Sequence, residues 1–193
     1  MPDTPLNRRH VVAELLVDRS DLLVVTGLGS PTYDVMAAGD HDLNYYLWGA
    51  MGGAAMLGLG LAHAQPDKPV VVITGDGEML MATGALATIA IQAPANLTIV
   101  VLDNGHYGET GMQLSHTGRG IDLSRVAASM DFNYSERLTD MKSVHQLRDR
   151  IHRKNSLNFA AIAIDSVPIE RVLPSRDGVY IKNRMKLALG QKL

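Results

Sequence analysis

Asp76 stands in the run Gly75-Asp76-Gly77-Glu78, directly after the apolar stretch Val70–Thr74. Asn104 stands in Asp103-Asn104-Gly105-His106-Tyr107-Gly108, directly after Leu97–Leu102. Two oxygen-bearing side chains at the ends of two strand-like runs could meet on one divalent cation if the strands lie side by side. Magnesium favours such ligands, typically one or two carboxylates completed by phosphate oxygens. Gly75 and Gly77 let the backbone approach a diphosphate closely, and a helix beginning near Glu78 offers it unpaired N–H groups. A Gly-Asp-Gly tripeptide alone, like Asp-Asn-Gly alone, is an ordinary turn. Strand, Gly-Asp-Gly, helix, then a second strand ending in Asn about one βαβ unit later is far more specific.

The elements that must position these residues are read from periodicity. Leu22–Thr26, Val70–Thr74, Leu97–Leu102 and Phe159–Asp165 are short, nearly continuous apolar runs, as expected of parallel strands covered on both faces. Helices are expected between them: an apolar stripe of Val11, Val12, Leu15 and Leu16, then Gly49–Ala64, Glu78–Gln92, Asp122–Met130 and Met141–Ile151. A last helix is expected over Tyr180–Leu189, with docking on a partner as its option. Strands alternating with helices predict an α/β class, a doubly wound, mostly parallel sheet flanked by helices, in one domain over residues 1–193. In such sheets ligands bind beyond the carboxyl ends of the strands.

Composition narrows the function. The chain of 193 residues is 46% hydrophobic and 20% charged, with net charge −2 and the two signs mixed, which gives no support for nucleic-acid binding. It has no cysteine, so a disulfide framework, a cysteine zinc site and a cysteine-ligated iron–sulfur cluster are excluded. The opening MPDTPLNRRHVV lacks the apolar core of a signal peptide. Leu47–Ala64 is weakly polar but carries glycines at 49, 52, 53, 58 and 60, favouring close packing within a protein over lipid exposure. A cytoplasmic location is expected.

The Gly-Asp-Gly…Asn pair resembles the diphosphate–magnesium motif of thiamine-diphosphate enzymes. That resemblance implies thiamine diphosphate and Mg²⁺ as cofactors, with Asp76, the Asn104 side chain and the His106 backbone carbonyl as metal ligands. Leu47-Trp48-Gly49-Ala50-Met51-Gly52 is similar to the segment that grips the aminopyrimidine. There the Gly49 carbonyl would accept a bond from the 4′-amino group, and Met51 would wedge between the cofactor's rings. Asn104 to Gln113, followed by Ser115-His116-Thr117-Gly118, resembles sulfopyruvate decarboxylase β subunits and phosphonopyruvate decarboxylases, as does Gly84-Ala85-Leu86-Ala87-Thr88-Ile89. The likeness spans roughly Leu23 to Phe132. Two positions depart from it: Asp103 replaces a common Asn, and Glu78, where many decarboxylases carry a small residue, adds a negative charge beside the diphosphate. Tyr107 belongs to the same cofactor loop, and Ser30, after Gly27-Leu28-Gly29, is the side chain expected to reach the diphosphate from the first strand.

The resemblance also implies a partner. The carboxyl that activates the cofactor at N1′ comes from a pyrimidine-binding module, and this chain reads as the diphosphate-binding one. A pyrimidine-binding α subunit is therefore expected in a hetero-oligomer, acting on a small 2-oxoacid to give CO₂ and an aldehyde. If that substrate bears a sulfonate or phosphonate, His116 and Arg119 are the candidates in this chain to meet it or to donate a proton. The alternatives are an acetolactate-synthase-like carboligase subunit, a ferredoxin-linked oxidoreductase subunit, and a non-enzymatic relative that keeps the fold. His41, in a Gly-Asp-His-Asp loop, has the option of a position at the mouth of the site.

Overall fold

The computed structural model describes residues 5–193; residues 1–4, the start of the opening segment and of the expected single domain, lie outside them. In chain order the helices and strands run α1 (Arg8–Leu15), β1 (Leu23–Thr26), α2 (Ser30–Ala37), β2 (Asn44–Tyr46), α3 (Ala54–Ala64), β3 (Val70–Gly75), α4 (Asp76–Met81) and α5 (Thr83–Gln92). They continue with β4 (Leu97–Asp103), β5 (His106–Tyr107), β6 (Gln113–Leu114), α6 (Leu123–Ala128), β7 (Tyr134–Leu138), α7 (Met141–Arg153), β8 (Asn158–Ala163) and α8 (Gly178–Ala188). A 3₁₀ turn spans Thr117–Arg119.

The main sheet has six strands in the order β2-β1-β3-β4-β8-β7, every neighbouring pair parallel. Its central strands are buried throughout because alternate side chains serve two cores. Val70, Val72, Ile99, Val101 and Phe159 face one side, with Leu59 and Leu86 from α3 and α5. Val71, Ile73, Val100, Leu102 and Ala160 face the other, with Val12 and Leu147 from α1 and α7. That two-sided burial is why these strands lack polar alternation. The predicted doubly wound α/β class is the one observed.

Local expectations are corrected in four places. The helix expected over Gly49–Ala64 begins only at Ala54, because Gly49 and Gly52 take φ of 77° and 86°, outside the right-handed helical region. The helix expected over Glu78–Gln92 is two helices, interrupted at Ala82. The segment after Gly29, where no helix was expected, is the start of α2, with Pro31 in its first turn. The terminal helix docks on its own chain: Ile181 and Met185 are buried, and Arg184 reaches Asp40 at 2.6 Å and the Asn44 carbonyl at 3.2 Å. α8 thereby covers the edge strand β2, which would otherwise offer unpaired backbone groups. Among the described residues no helix is long and apolar enough to cross a membrane.

Candidate functional site

Gly75 of β3 pairs with Leu102 of β4, so Asp76 and Asp103 leave the sheet side by side and Asn104 follows one residue later. Asp76 and Asn104 open onto one cavity of about 360 Å³ at the carboxyl rim of the sheet. The same cavity is lined by Ser30, Met51, Gly75, Gly77, Glu78, His106 and Tyr107. Gly49 alone of the expected cofactor-binding residues is not part of the lining; it is exposed, two positions before Met51.

Asp76 is 3% exposed and has no cationic partner among the described residues. Its Oδ2 accepts hydrogen bonds from Ser115 Oγ at 2.5 Å and Thr117 Oγ1 at 2.8 Å. Burial pushes the Asp76 carboxyl above its usual range, these two hydroxyls oppose the shift, and neighbouring Asp103 adds to it. With Oδ2 occupied, Oδ1 is the oxygen left to the cavity. Thr117 Oγ1 also lies 2.7 Å from Asp103 Oδ1, and its single proton serves one carboxylate at a time. Asn104 Oδ1 accepts from the His106 backbone N–H at 2.9 Å, which fixes the side chain at the head of the β5–β6 hairpin.

These donors suit a hard cation. Among the described residues no three His, Cys, Asp or Glu side chains gather into a metal cluster. A cation here would rest on one carboxylate, an amide oxygen and a ligand's own oxygens, which is the pattern magnesium adopts with phosphates. A buried, unpaired carboxylate is itself the feature that such an ion relieves.

Glu78 lines the cavity, but its oxygens are committed to backbone. Oε2 accepts from Leu28 N at 2.9 Å and Oε1 from Gly52 N at 3.2 Å. Burial pushes its carboxyl up, against the pull of these bonds. Gly27 is obligatory beneath it, since a Cβ there would overlap Glu78 Oε2. Glu78 thus ties the loop after β1 to the loop that carries Met51. The carboxyl expected to add a negative charge to the site is held in the cavity wall by this tie.

His116 and Arg119 do not line the cavity. His116 Nδ1 lies 2.6 Å from the Tyr107 hydroxyl, so it stands one side chain back from the wall. Arg119 closes the 3₁₀ turn and is exposed. His41 does not reach the mouth; its Nδ1 accepts from Leu43 N at 3.1 Å. His63 and His145, both exposed, and half-buried His152 are likewise absent from the lining. Sequence reasoning did not find Ser115 and Thr117 as partners of Asp76, nor Arg8, Met81, Glu109 and Thr110 in the cavity wall. Ser115 and Thr117 lay within the quoted His-Thr-Gly stretch, where hydroxyls next to a metal loop were the available signal. Arg8 lies 68 residues upstream of Asp76, and nothing local connects them.

Residues 29–164 match the family described as "Thiamine pyrophosphate enzyme, C-terminal TPP binding domain". The chain is similar to the sulfopyruvate decarboxylase of Methanosarcina acetivorans, 34% identical over 157 residues, covering 81% of this chain and 40% of that protein. Against sulfopyruvate decarboxylase subunit beta of Methanothermobacter thermautotrophicus it is 42% identical over 128 residues, 66% of this chain and 68% of the relative. Against the phosphonopyruvate decarboxylase of Streptomyces viridochromogenes it is 43% identical over 112 residues, 58% of this chain and 28% of the relative. The chain therefore spans less than half the length of the first and third of these relatives. Among solved structures, benzoylformate decarboxylase from Polynucleobacter necessarius superposes with a TM-score of 0.71 at 18% identity, over 88% of this chain and 35% of that one. At that identity the likeness concerns the fold.

Proposed function

This chain belongs to the thiamine pyrophosphate enzymes, as a C-terminal TPP-binding domain, and from that premise we propose that it is the diphosphate-binding β subunit of a two-subunit 2-oxoacid decarboxylase. The substrate class is a short oxoacid with a second anionic group, sulfopyruvate or phosphonopyruvate, and the products are CO₂ and an aldehyde. The observation that carries the reading is the convergence of Asp76 and Asn104, from adjacent parallel strands, on one cavity that Met51 also lines. The similarity to sulfopyruvate and phosphonopyruvate decarboxylases supports the substrate class, and the similarity to a subunit beta supports the need for a partner chain.

When bound, the thiazolium ring supplies the electron sink that decarboxylation requires. The residues of this chain prepare its seat. Asp76 Oδ1, the Asn104 side chain and the His106 carbonyl are the ligands proposed for Mg²⁺, with the diphosphate completing its shell. Gly75 and Gly77 keep the cavity floor low; a Cβ on Gly77 would meet the Tyr107 ring at 2.8 Å. Ser30 faces the diphosphate from the start of α2. Met51, in the loop that the Glu78–Gly52 bond ties down, would meet the cofactor's rings, and the Gly49 carbonyl would receive the 4′-amino group. His116 Nδ1 and the Tyr107 hydroxyl form a hydrogen-bonded pair beside the wall, suited to return a proton to the product. The carboxyl at N1′ is assigned to a pyrimidine-binding α subunit.

The test is reconstitution with such a chain, Mg²⁺ and thiamine diphosphate, followed by assay of CO₂ and aldehyde from sulfopyruvate and phosphonopyruvate, with pyruvate as control. Release of both products from one dianionic oxoacid is expected. Acetolactate from pyruvate, without decarboxylation of either dianionic substrate, would transfer the chain to the carboligases.

A further inference from the structure

Arg8 opens α1, far in sequence from the motifs of the site, yet it lines the same cavity. The chain is brought there by a parallel bridge between Leu6 and Ile164, just beyond the carboxyl end of β8. Leu6 N donates to the Ala163 carbonyl at 3.3 Å, and Asp165 N donates to the Leu6 carbonyl at 2.9 Å. That splice sets the first turn of α1 on the rim where β3 and β4 deliver Asp76 and Asn104.

The charge at this point is unbalanced. Arg8 Nη1 donates to Asp34 Oδ2 at 2.9 Å, and Arg9 Nε donates to Asp34 Oδ1 at 3.1 Å. Two guanidinium groups on one carboxylate leave one positive charge over. Arg9 turns away to the Glu170 carbonyl at 2.7 Å and is not part of the cavity wall. Arg9, with its side chain 26% exposed, is screened by solvent, so the charge that faces the cavity is that of Arg8, whose side chain is only 8% exposed. Among the described residues Asp34 is its sole side-chain acceptor, although a guanidinium carries five N–H donors. A buried cation with unused donors calls for an anion. Among the residues lining the cavity Arg8 is the only lysine or arginine, set against Asp76, Glu78 and Glu109.

Position selects the anion. Arg8, Leu102 and Ile164 are buried members of the cavity lining, whereas Met51 and Met81, 47% and 65% exposed, are its solvent-facing members. The diphosphate tail of a bound cofactor, its most charged part, would belong among the buried members, where Asp76 also lies. We infer that Arg8 is a further ligand of the cofactor, its planar fork suited to a phosphoryl group of that tail. The inference rests on reading the cavity as a diphosphate site, and it gives the tail a fixed protein cation besides Mg²⁺.

The test uses the full chain with Mg²⁺ and inorganic pyrophosphate, measured by titration calorimetry, and with thiamine diphosphate for comparison. Arg8→Met is expected to weaken pyrophosphate at least about tenfold, with part of the loss recovered in Arg8→Lys. Because Arg8→Met strands the Asp34 carboxylate, the double variant Arg8→Met/Asp34→Asn is run beside it and is expected to fold and to bind as weakly. In the unmutated chain, Mg²⁺-pyrophosphate is expected to slow phenylglyoxal modification of Arg8. Wild-type affinity in the folded double variant, or modification at an unchanged rate, overturns the inference and leaves the diphosphate reading standing. If the unmutated chain binds neither pyrophosphate nor thiamine diphosphate, that reading fails and takes Arg8's role with it.

Discussion

Two buried carboxylates at the start of α4 divide the labour of the site, and their hydrogen bonds predict how each responds to mutation. Asp76 keeps one oxygen for the cavity, so Asp76→Ala should abolish Mg²⁺-dependent binding of thiamine diphosphate while the thermal midpoint stays unchanged or rises, because an unpaired buried charge is removed with it. Thr117→Val leaves the ligand but loosens its orientation. Metal affinity measured by calorimetry should then fall by about 10–100-fold, the usual effect of removing an outer-shell partner. Glu78 instead bonds Leu28 N and Gly52 N, and Glu78→Ala would leave buried donors unsatisfied at a cost of about 1–3 kcal/mol in urea unfolding. Its pH signature is distinct. Burial raises the Glu78 pKa in the folded chain, so its contribution is complete below the unfolded carboxyl pKa and is lost as pH rises through the folded one. The unliganded wild type should therefore lose stability relative to Glu78→Gln as pH rises from the unfolded value upward. A difference that grows toward acid in favour of Glu78→Gln would show that the carboxyl's burial is not the dominant influence.

Among elements, the β5–β6 hairpin is the one whose position the metal loop depends on. Ser115 N donates to the Gly105 carbonyl at 2.9 Å, and Gly118 packs so tightly on that carbonyl that a Cβ would overlap it. Gly118→Ala should push Ser115 and Thr117 off Asp76, costing about 1–3 kcal/mol and weakening Mg²⁺ binding in parallel. An unchanged affinity would mean that the hairpin gives way elsewhere. Sequence legibility follows the same physical lines. β1, β3, β4 and β8 were readable because burial on both faces demands unbroken apolar runs. β2 has three residues and β7 reads YSERL with its middle exposed, so neither edge strand announced itself. α2 was hidden by Gly29 and Pro31, which look like a turn until the helix that they open is seen. The break at Ala82 carries neither glycine nor proline; Thr83 Oγ1 bonds back to the Leu80 carbonyl at 2.8 Å there. The convergence of Asp76 and Asn104 on one cavity was legible because both follow strand ends, which fix direction. Arg8 was not, because its place depends on a bridge of Leu6 to Ile164 that no periodicity encodes.

For the whole molecule, the decisive feature is a cavity whose solvent-facing side is apolar. Its mouth presents Met51 and Met81 to solvent, and the adjoining hairpin presents Met112 and Leu114. Exposed apolar side chains grouped around a ligand cavity mark a surface that another protein covers. The chemistry agrees with the shape, since the carboxyls in the wall are engaged elsewhere. Asp76 and Glu78 are held as described, and Glu109 packs against Gly29 and lies 3.6 Å from Arg171. None is free to serve N1′ of an aminopyrimidine. The chain with Mg²⁺ and thiamine diphosphate should accordingly release CO₂ from sulfopyruvate or phosphonopyruvate at the uncatalysed rate, and the added pyrimidine-binding chain should restore turnover. Met81→Asp, at the most exposed point of the rim, should weaken that pairing by about tenfold or more in sedimentation while leaving Mg²⁺-pyrophosphate affinity intact. Turnover by the chain alone would place the activating carboxyl within it and remove the need for a partner. Unaltered pairing in Met81→Asp would move the contact surface away from the cavity mouth.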